Sequence, residues 1–146
     1  MSIRYYTAAG GVVLDPTKEQ VLLLIRPSRD EVRLPKGHTE SDESVRATAL
    51  REVSEESGYD DLEILSDLGE QLVVFPLKGE IVKRTEHYFL MRARSLHQSA
   101  RPKPDASQFI TLWASWQEAD EHLTFEAEQE WLRRAQQALE TIRDPE

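Results

Sequence analysis

Apolar residues along the chain recur with two different periods, which predicts an alternation of strands and helices. Stretches rich in Val, Leu and Ile predict strands. These strands span residues 5–14, 20–27, 31–35, 61–66, 69–77, 82–93 and 109–114. A Lys78-Gly79-Glu80 turn predicts a hairpin between two of them. Apolar residues at helical spacing from Thr124 onward predict a C-terminal amphipathic helix that packs on the sheet. The pattern therefore predicts an α/β fold with a mixed sheet.

The segment from Gly37 to Tyr59 predicts a loop that leads into a helix with an acidic face. Glu52, Glu55 and Glu56 fall at positions i, i+3 and i+4, so their side chains project from neighbouring points of one helical face. Carboxylates this close repel one another, and a hard cation between them removes that repulsion. Because Mg²⁺ and Mn²⁺ favour oxygen ligands, the spacing indicates a site for one of these ions.

Other residues of this helix are expected to fix it in place. Its apolar arc beside the carboxylates consists of Val45, Ala49, Leu50 and Val53. Ser41 or Asp42 is predicted as the N-cap, and Gly58 is predicted to end the helix. Arg51 lies four residues before Glu55, and we interpret its guanidinium as the group that orients the acidic side chains. The competing interpretation is a solvated acidic surface.

These residues resemble the Nudix box, the signature of the Nudix hydrolase family. The family pattern is Gly, five residues, Glu, seven residues, then Arg-Glu-aliphatic-x-Glu-Glu-x-Gly-aliphatic. The chain matches it at Gly37, Glu43, Arg51, Glu52, Val53, Glu55, Glu56 and Gly58. Two positions depart from it: Tyr59 stands at an aliphatic position, and Asp42 replaces a glycine that commonly precedes the first glutamate. The matched register disfavours the interpretation as a solvated acidic surface.

The resemblance implies a single domain over residues 1–146, with the box at 37–59, folded as a Nudix-type α/β/α sandwich. It also implies a metal site in which Mg²⁺ or Mn²⁺ is held by the Gly37 carbonyl and by Glu52, Glu55 and Glu56. Phosphoanhydride hydrolysis would then be catalysed by Glu52 or Glu55 as general base, with Arg51 as the orienting member of the catalytic group.

Cations near the box are candidates for contacts to substrate phosphates. Lys36 precedes the box and His38 follows its first glycine, and both are predicted to contact phosphate. The alternatives are an exposed lysine and an incidental loop histidine. Lys83 and Arg84 are neighbours on a predicted strand, so alternation sends their side chains to opposite faces. We expect Lys83 to face the cleft.

Aromatic rings are the candidates for binding a nucleotide base, because stacking on a ring contributes about 1–3 kcal/mol per base. Phe75 and Tyr88 are predicted platforms, as is Phe89, with core packing as the alternative for each. Trp113, Trp116 and Trp131 are expected to pack in the core or at its edge.

Composition limits the partners of the protein. With 18 basic and 27 acidic residues the formal charge is −9, which argues against broad contact with nucleic acid or an anionic membrane. Local cations and metal must therefore offset the repulsion of an anionic substrate. The chain has no cysteine and no predicted signal or membrane-spanning segment, so a cytoplasmic location is expected. A monomer and a homodimer both remain open.

The residues around the box limit the range of candidate substrates. Leu34-Pro35-Lys36-Gly37-His38 resembles the start of the box in the branch that hydrolyses diadenosine polyphosphates and diphosphoinositol polyphosphates. Dinucleoside polyphosphates such as diadenosine tetraphosphate are the leading prediction. The alternatives are oxidised nucleoside triphosphates, diphosphoinositol polyphosphates and, in a different class, a nucleotide-sensing module without turnover. The diadenosine tetraphosphate hydrolases that the chain resembles often have a glutamate a few residues before the strand that contains Trp113. This chain has Asp105, Ser107 and Gln108 in that region instead.

Overall fold

A computed structural model describes residues 2–143, and within them seven strands join in one mixed sheet. The strands are β1 (Ile3–Leu14), β2 (Gln20–Arg26), β3 (Glu31–Arg33), β4 (Lys36–His38), β5 (Leu62–Leu77), β6 (Glu80–Ala93) and β7 (Ile110–Ser115). The helices are α1 (Val45–Ser57), α2 (Lys103–Gln108), α3 (Trp116–His122) and α4 (Glu126–Arg143), with one 3-10 turn at Pro27–Arg29. No helix in this described range is long and apolar enough to cross a membrane.

The order of the strands brings the start of the box to the middle of the sheet. The main path is β3-β2-β1-β6-β5, while β4 pairs with β1 and β7 pairs with β2. β1 and β6 run parallel along their whole length, and the other pairs are antiparallel. The predicted α/β fold with a mixed sheet is therefore confirmed. Central β1 thus has the box strand β4 beside it.

Two apolar clusters hold the helices against the sheet. The first lies under α3 and α4 and contains Leu14, Leu23, Leu34, Tyr88, Leu90, Trp131, Leu132 and Leu139. The second lies under α1 and contains Ala9, Val13, Leu22, Ala49, Val53, Tyr59, Phe89 and Met91. Val45 and Leu50 are partly buried against this second cluster, so the predicted apolar arc of the box helix does face the core.

A close backbone approach fixes β4 beside β1. A Cβ atom on Gly10 would overlap the carbonyl oxygen of Pro35, and the Gly11 N–H donates to that oxygen at 3.2 Å. Only a glycine at position 10 allows this spacing. The loop that carries Gly37 is consequently held on the sheet before the helix begins.

Several element boundaries differ from the prediction. β5 is one strand rather than two because bulges absorb the irregular residues between Ile64 and Glu70. The predicted strand 31–35 ends at Arg33 as β3, and the separate strand β4 at Lys36–His38 was not predicted. The N-cap of α1 is Ser44, whose Oγ accepts from the Ala47 N–H at 3.1 Å, instead of Ser41 or Asp42. Helix α2 was not predicted.

Candidate active site

Arg51 is the centre of a network of acidic side chains from α1 and from the loop before it. Its Nε donates to Glu43 at 2.7 Å, and its Nη1 donates to Glu52 at 2.6 Å and to Glu55 at 3.3 Å. Its Nη2 donates to the backbone carbonyl of His38 at 3.1 Å. Hydrogen bonds from Arg51 contribute most to lowering the pKa of Glu43 to about 2. Arg51 thus orients the box residues, as its position in the sequence predicts.

Glu52 lies directly against the backbone of Gly37. A Cβ atom on Gly37 would overlap the Glu52 carboxylate, so the loop and the helix meet only because residue 37 has no side chain. Burial raises the pKa of Glu52, and the neighbouring Arg51 opposes that effect. The contact places the Glu52 carboxylate beside the backbone of residue 37.

Glu56 is the most buried acidic residue of the box. Its side chain is 7% exposed and accepts the Lys36 backbone N–H at 2.9 Å. Burial raises the pKa of Glu56 to about 8, and the charge of Glu52 acts in the same direction while Arg33 opposes it. A carboxylate in this position gains strongly from a nearby cation.

These groups meet at a small cavity of about 190 Å³, which we call the catalytic cavity. Its lining consists of Ala8, Arg33, Lys36, Gly37, His38, Glu52, Glu56 and Arg84. Glu55 does not line it, because its side chain is partly exposed and bonded to Arg51. Over residues 2–143, no three His, Asp or Glu side chains converge closely enough to enclose an ion.

The donor set at the catalytic cavity nevertheless fits a hard divalent cation. Glu52 and Glu56 offer carboxylate oxygens, and Gly37 offers a backbone carbonyl, which are the ligand types that Mg²⁺ prefers. Burial raises the pKa of both carboxyl groups, and a bound cation would reverse that shift. Glu55, the third predicted carboxylate ligand, is turned toward Arg51 in this structure.

The structure corrects the prediction that Lys36 contacts phosphate. Its side chain is buried, and its Nζ lies 3.4 Å from Glu128 Oε2. Burial lowers the pKa of the Lys36 ammonium group, while the charge of Glu128 opposes that effect. The Glu128 carboxylate also accepts the Leu34 N–H at 2.9 Å. Lys36 therefore anchors the start of the box to α4, because its charge is already committed to Glu128.

The cation that β6 presents to the catalytic cavity is Arg84 rather than Lys83. Arg84 lines the cavity and donates to Glu86 at 2.9 Å. Lys83 points to the opposite face, with its Nζ 5.8 Å from the ring centre of Tyr5. The predicted alternation was correct, but the choice of Lys83 was wrong. His38 lines the cavity, and burial together with the charge of Arg84 lowers its pKa, while its contact with phosphate stays a prediction.

The three predicted aromatic platforms have different surroundings. Tyr88 is fully buried and stacks on Trp131, with ring centres 4.6 Å apart. It cannot receive a base, so its assignment as a platform was wrong, and Phe89 is buried as well. Phe75 lines a second, larger cavity, where the guanidinium of Arg84 lies 5.0 Å from its ring centre.

Some residues near the site were missed at the level of sequence. Glu128 could not be assigned because its partner Lys36 is 92 positions away. Asp105 on α2, noted in the sequence only as a departure from the family pattern, is near enough to Glu52 for its charge to raise the pKa of Glu52, after the larger effect of burial. Arg26 and Arg33 were also missed, although a run of cations between positions 26 and 36 of an acidic chain was a usable signal.

Known proteins share the fold and part of the sequence. Over 94 residues the chain is 42% identical to MutT4 of Mycobacterium tuberculosis (strain CDC 1551 / Oshkosh), which is named as a mutator protein. The match covers 59% of this chain and 38% of the relative, so the chain spans well under half of that relative's length.

Solved structures and a family model extend the comparison to nearly the whole chain. A Caenorhabditis elegans Ap4A hydrolase binary complex is 20% identical with a TM-score of 0.73, covering 92% of this chain and 98% of that one. The Escherichia coli dihydroneopterin triphosphate pyrophosphohydrolase is 18% identical with a TM-score of 0.70, covering 90% and 96%. At these low sequence identities, the TM-scores show that the proteins share a fold. The NUDIX domain model matches residues 4–135, so the resemblance seen in the box is confirmed and the chain belongs to the NUDIX domain family.

Proposed function

We propose that this protein is a Mg²⁺-dependent pyrophosphohydrolase that cleaves a phosphoanhydride bond in dinucleoside polyphosphates such as diadenosine tetraphosphate. The observation that carries the proposal is a pair of carboxylates, the partly buried Glu52 and the buried Glu56, facing a cavity whose other walls carry Arg33 and Arg84. Without a cation these carboxyl groups give a polyphosphate no attraction, whereas carboxylates that hold Mg²⁺ would attract it.

The residues of the catalytic cavity have separate roles in this reaction. Glu52, Glu56 and the Gly37 carbonyl would hold Mg²⁺, with Glu55 as a further ligand. When bound, Mg²⁺ neutralises phosphate oxygens and makes a nearby water molecule a stronger acid. Glu52 is the favoured proton acceptor, because burial raises the pKa of its carboxyl group. Arg51 keeps that carboxylate in place through the 2.6 Å hydrogen bond from its Nη1.

The cations across the cavity are suited to bind the phosphates. Arg84 is fixed by Glu86 at 2.9 Å, so its guanidinium is oriented before the substrate arrives. The lowered pKa of His38 keeps its ring neutral at pH 7, which leaves one N–H to donate to a phosphate oxygen. Phosphoryl transfer requires mainly this kind of positioning and charge neutralisation.

Two observations support a dinucleoside polyphosphate as the substrate. The Leu34–His38 sequence resembles the branch of the family that hydrolyses such compounds, and a solved Ap4A hydrolase shares the fold. Oxidised nucleoside triphosphates are the second candidate, because the 42% identical relative is named as a mutator protein. Diphosphoinositol polyphosphates are disfavoured by the formal charge of −9.

A substrate panel tests the proposal. The compounds are diadenosine tetraphosphate, 8-oxo-dGTP, ADP-ribose, a nucleotide sugar, capped RNA and a diphosphoinositol polyphosphate, each with Mg²⁺ and with separated products. We expect diadenosine tetraphosphate to have a kcat/KM about tenfold or more above each of the others, equivalent to about 1.4 kcal/mol in the transition state. The same mixtures with EDTA in place of Mg²⁺ are the control. If kcat/KM for diadenosine tetraphosphate exceeded that for another compound by less than tenfold, the assignment of this substrate would be rejected. If no compound were hydrolysed, the proposed enzymatic activity would be rejected.

A further inference from the structure

A second cavity of about 330 Å³ lies beside the catalytic cavity and is rich in arginine. We call it the arginine cavity. Its lining includes the side chains of Arg26, Arg29, Arg33, Phe75, Arg84 and Phe125. Arg33, Lys36 and Arg84 line both cavities, so the two are contiguous. A substrate bound at the carboxylates can therefore extend into the arginine cavity.

Some of the cations of this cavity already have carboxylate partners. Lys36 pairs with Glu128 at 3.4 Å, and Arg84 pairs with Glu86 at 2.9 Å. Arg33 has only a marginal contact, with its Nη1 4.0 Å from Glu31. Within residues 2–143, neither Arg26 nor Arg29 forms a salt bridge. The cavity thus contains positive charge that is not balanced by carboxylates, in a protein whose formal charge is −9.

Arg26 and Arg33 lie against the same aromatic ring, and Glu31 faces Arg26 across the pair of strands β2 and β3. Their guanidinium carbons lie 6.0 Å and 5.4 Å from the centre of the Phe109 ring, which gives both a common support. The Nε–H group of each is buried and, among residues 2–143, has no hydrogen-bond acceptor. Two like charges with buried, unused donors are a costly arrangement, and an anion that accepts from both would relieve it.

We propose that the arginine cavity binds a phosphate group of the substrate other than the one under attack, through Arg26 and Arg33. The identity of that substrate rests on the proposed function. The preferred class is then a polyphosphate whose phosphates continue beyond the reacting linkage, in contrast to short diphosphates such as nucleotide sugars. Arg84 already lies over the Phe75 ring, 5.0 Å from its centre, which favours phosphate over a stacked base as the occupant.

Binding of inorganic tripolyphosphate without divalent metal tests this site apart from catalysis. Calorimetric titration in EDTA should show binding to the wild type and at least tenfold weaker binding to the Arg26→Gln/Arg33→Gln variant. The matched control is Arg94→Gln/Arg133→Gln, which removes the same charge from two exposed positions and should bind within twofold of the wild type. No binding by the wild type, or equal losses in both double variants, would overturn the proposal.

A second measurement covers the case in which the first variant does not fold. Addition of tripolyphosphate to the wild type should shift the side-chain Nε–H NMR signals of Arg26 and Arg33 and leave that of Arg133 in place. Unshifted signals would overturn the proposal, as would shifts of the Phe75 and Phe125 ring signals with adenosine but not with tripolyphosphate. Because neither measurement needs turnover, a failed substrate panel would reject the proposed function and leave this anion site standing.

Discussion

The carboxylate of Glu52 occupies the space into which a side chain on residue 37 would project. This relationship joins the loop before the box helix to the helix itself. It also explains why the first glycine of the box is needed, since a Cβ at this position and the observed Glu52 rotamer exclude each other. The arrangement of the catalytic cavity therefore requires a residue without a side chain at position 37.

Replacement of this glycine should inactivate the enzyme with little effect on stability. In Gly37→Ala the new Cβ displaces the end of the flexible Glu52 side chain while the backbone stays in place. We expect kcat to fall by about 10²-fold, because small misplacements at a reacting centre have effects of that size. The free energy of unfolding should change by less than about 1.5 kcal/mol. Steady-state kinetics and urea unfolding measure the two quantities.

A double variant shows whether the loss acts through Glu52. Gly37→Ala combined with Glu52→Gln should be no less active than Glu52→Gln alone, because both changes remove the same carboxylate from its position. Additive losses would contradict the structural relationship, as would a Gly37→Ala enzyme with native kcat.

Lys36 and Glu128 should behave as a buried ion pair. Lys36→Met leaves the Glu128 carboxylate buried without its cation, so the free energy of unfolding should fall by about 3–5 kcal/mol. In Lys36→Met/Glu128→Gln the charge is absent, and the amide oxygen can still accept the Leu34 N–H, so much of the loss should be recovered. Equal stability of the single and double variants in urea would show that the pair is not coupled.

The Glu43 carboxylate should make stability depend on pH in the acid range. Its pKa is lowered from about 4.3 to about 2 in the folded protein, chiefly by hydrogen bonds from Arg51. A lowered pKa stabilises the folded state above the unfolded value, and that contribution fades as the pH falls toward 2. The stability difference between the wild type and Glu43→Gln should be constant above about pH 5 and shrink between pH 4.3 and 2. Urea unfolding over this range measures it, and a constant difference would contradict the assignment.

The hydroxyl of Tyr88 should be dispensable. It is buried and has no hydrogen-bond partner among residues 2–143, so Tyr88→Phe should leave stability unchanged or raise it by about 1 kcal/mol. Its kcat and KM should remain within twofold of the wild type. Phe75→Leu is the contrasting variant, because it removes the ring beneath Arg84 and should raise KM several-fold. A large rise of KM in Tyr88→Phe with a native KM in Phe75→Leu would reverse the roles given to these residues.

The sequence was most informative where structure depends on neighbouring residues. Helical spacing placed Glu52 and Glu56 on one side of α1, and the position of Arg51 indicated its orienting role, because these contacts span at most one or two turns or the adjoining loop. Strand alternation likewise separated Lys83 from Arg84. Alternation could not identify whether the side chain of Lys83 or that of Arg84 points into the cavity. That choice depends on how β6 lies against β1 and α4.

The errors concern residues whose surroundings come from distant parts of the chain. Lys36 looks exposed in the sequence, and only the docking of α4 brings Glu128 to it. Tyr88 lies on β6, and it is covered by the ring of Trp131 from α4, on which it stacks. The surroundings of both residues depend on how α4 packs on the sheet. The apolar periodicity predicts that this helix packs on the sheet, but it does not predict which residues it contacts.

Calorimetric titration with Mg²⁺ of the wild type and of Glu56→Gln, at pH 7 and without substrate, tests the metal site most directly. Glu56 is buried beside Glu52 in the catalytic cavity, and its replacement by an uncharged side chain of the same shape removes one carboxylate from the metal site. We expect saturable binding by the wild type and at least tenfold weaker binding by Glu56→Gln, with similar thermal unfolding of the two proteins. Equal Mg²⁺ affinity of the two proteins would contradict the account.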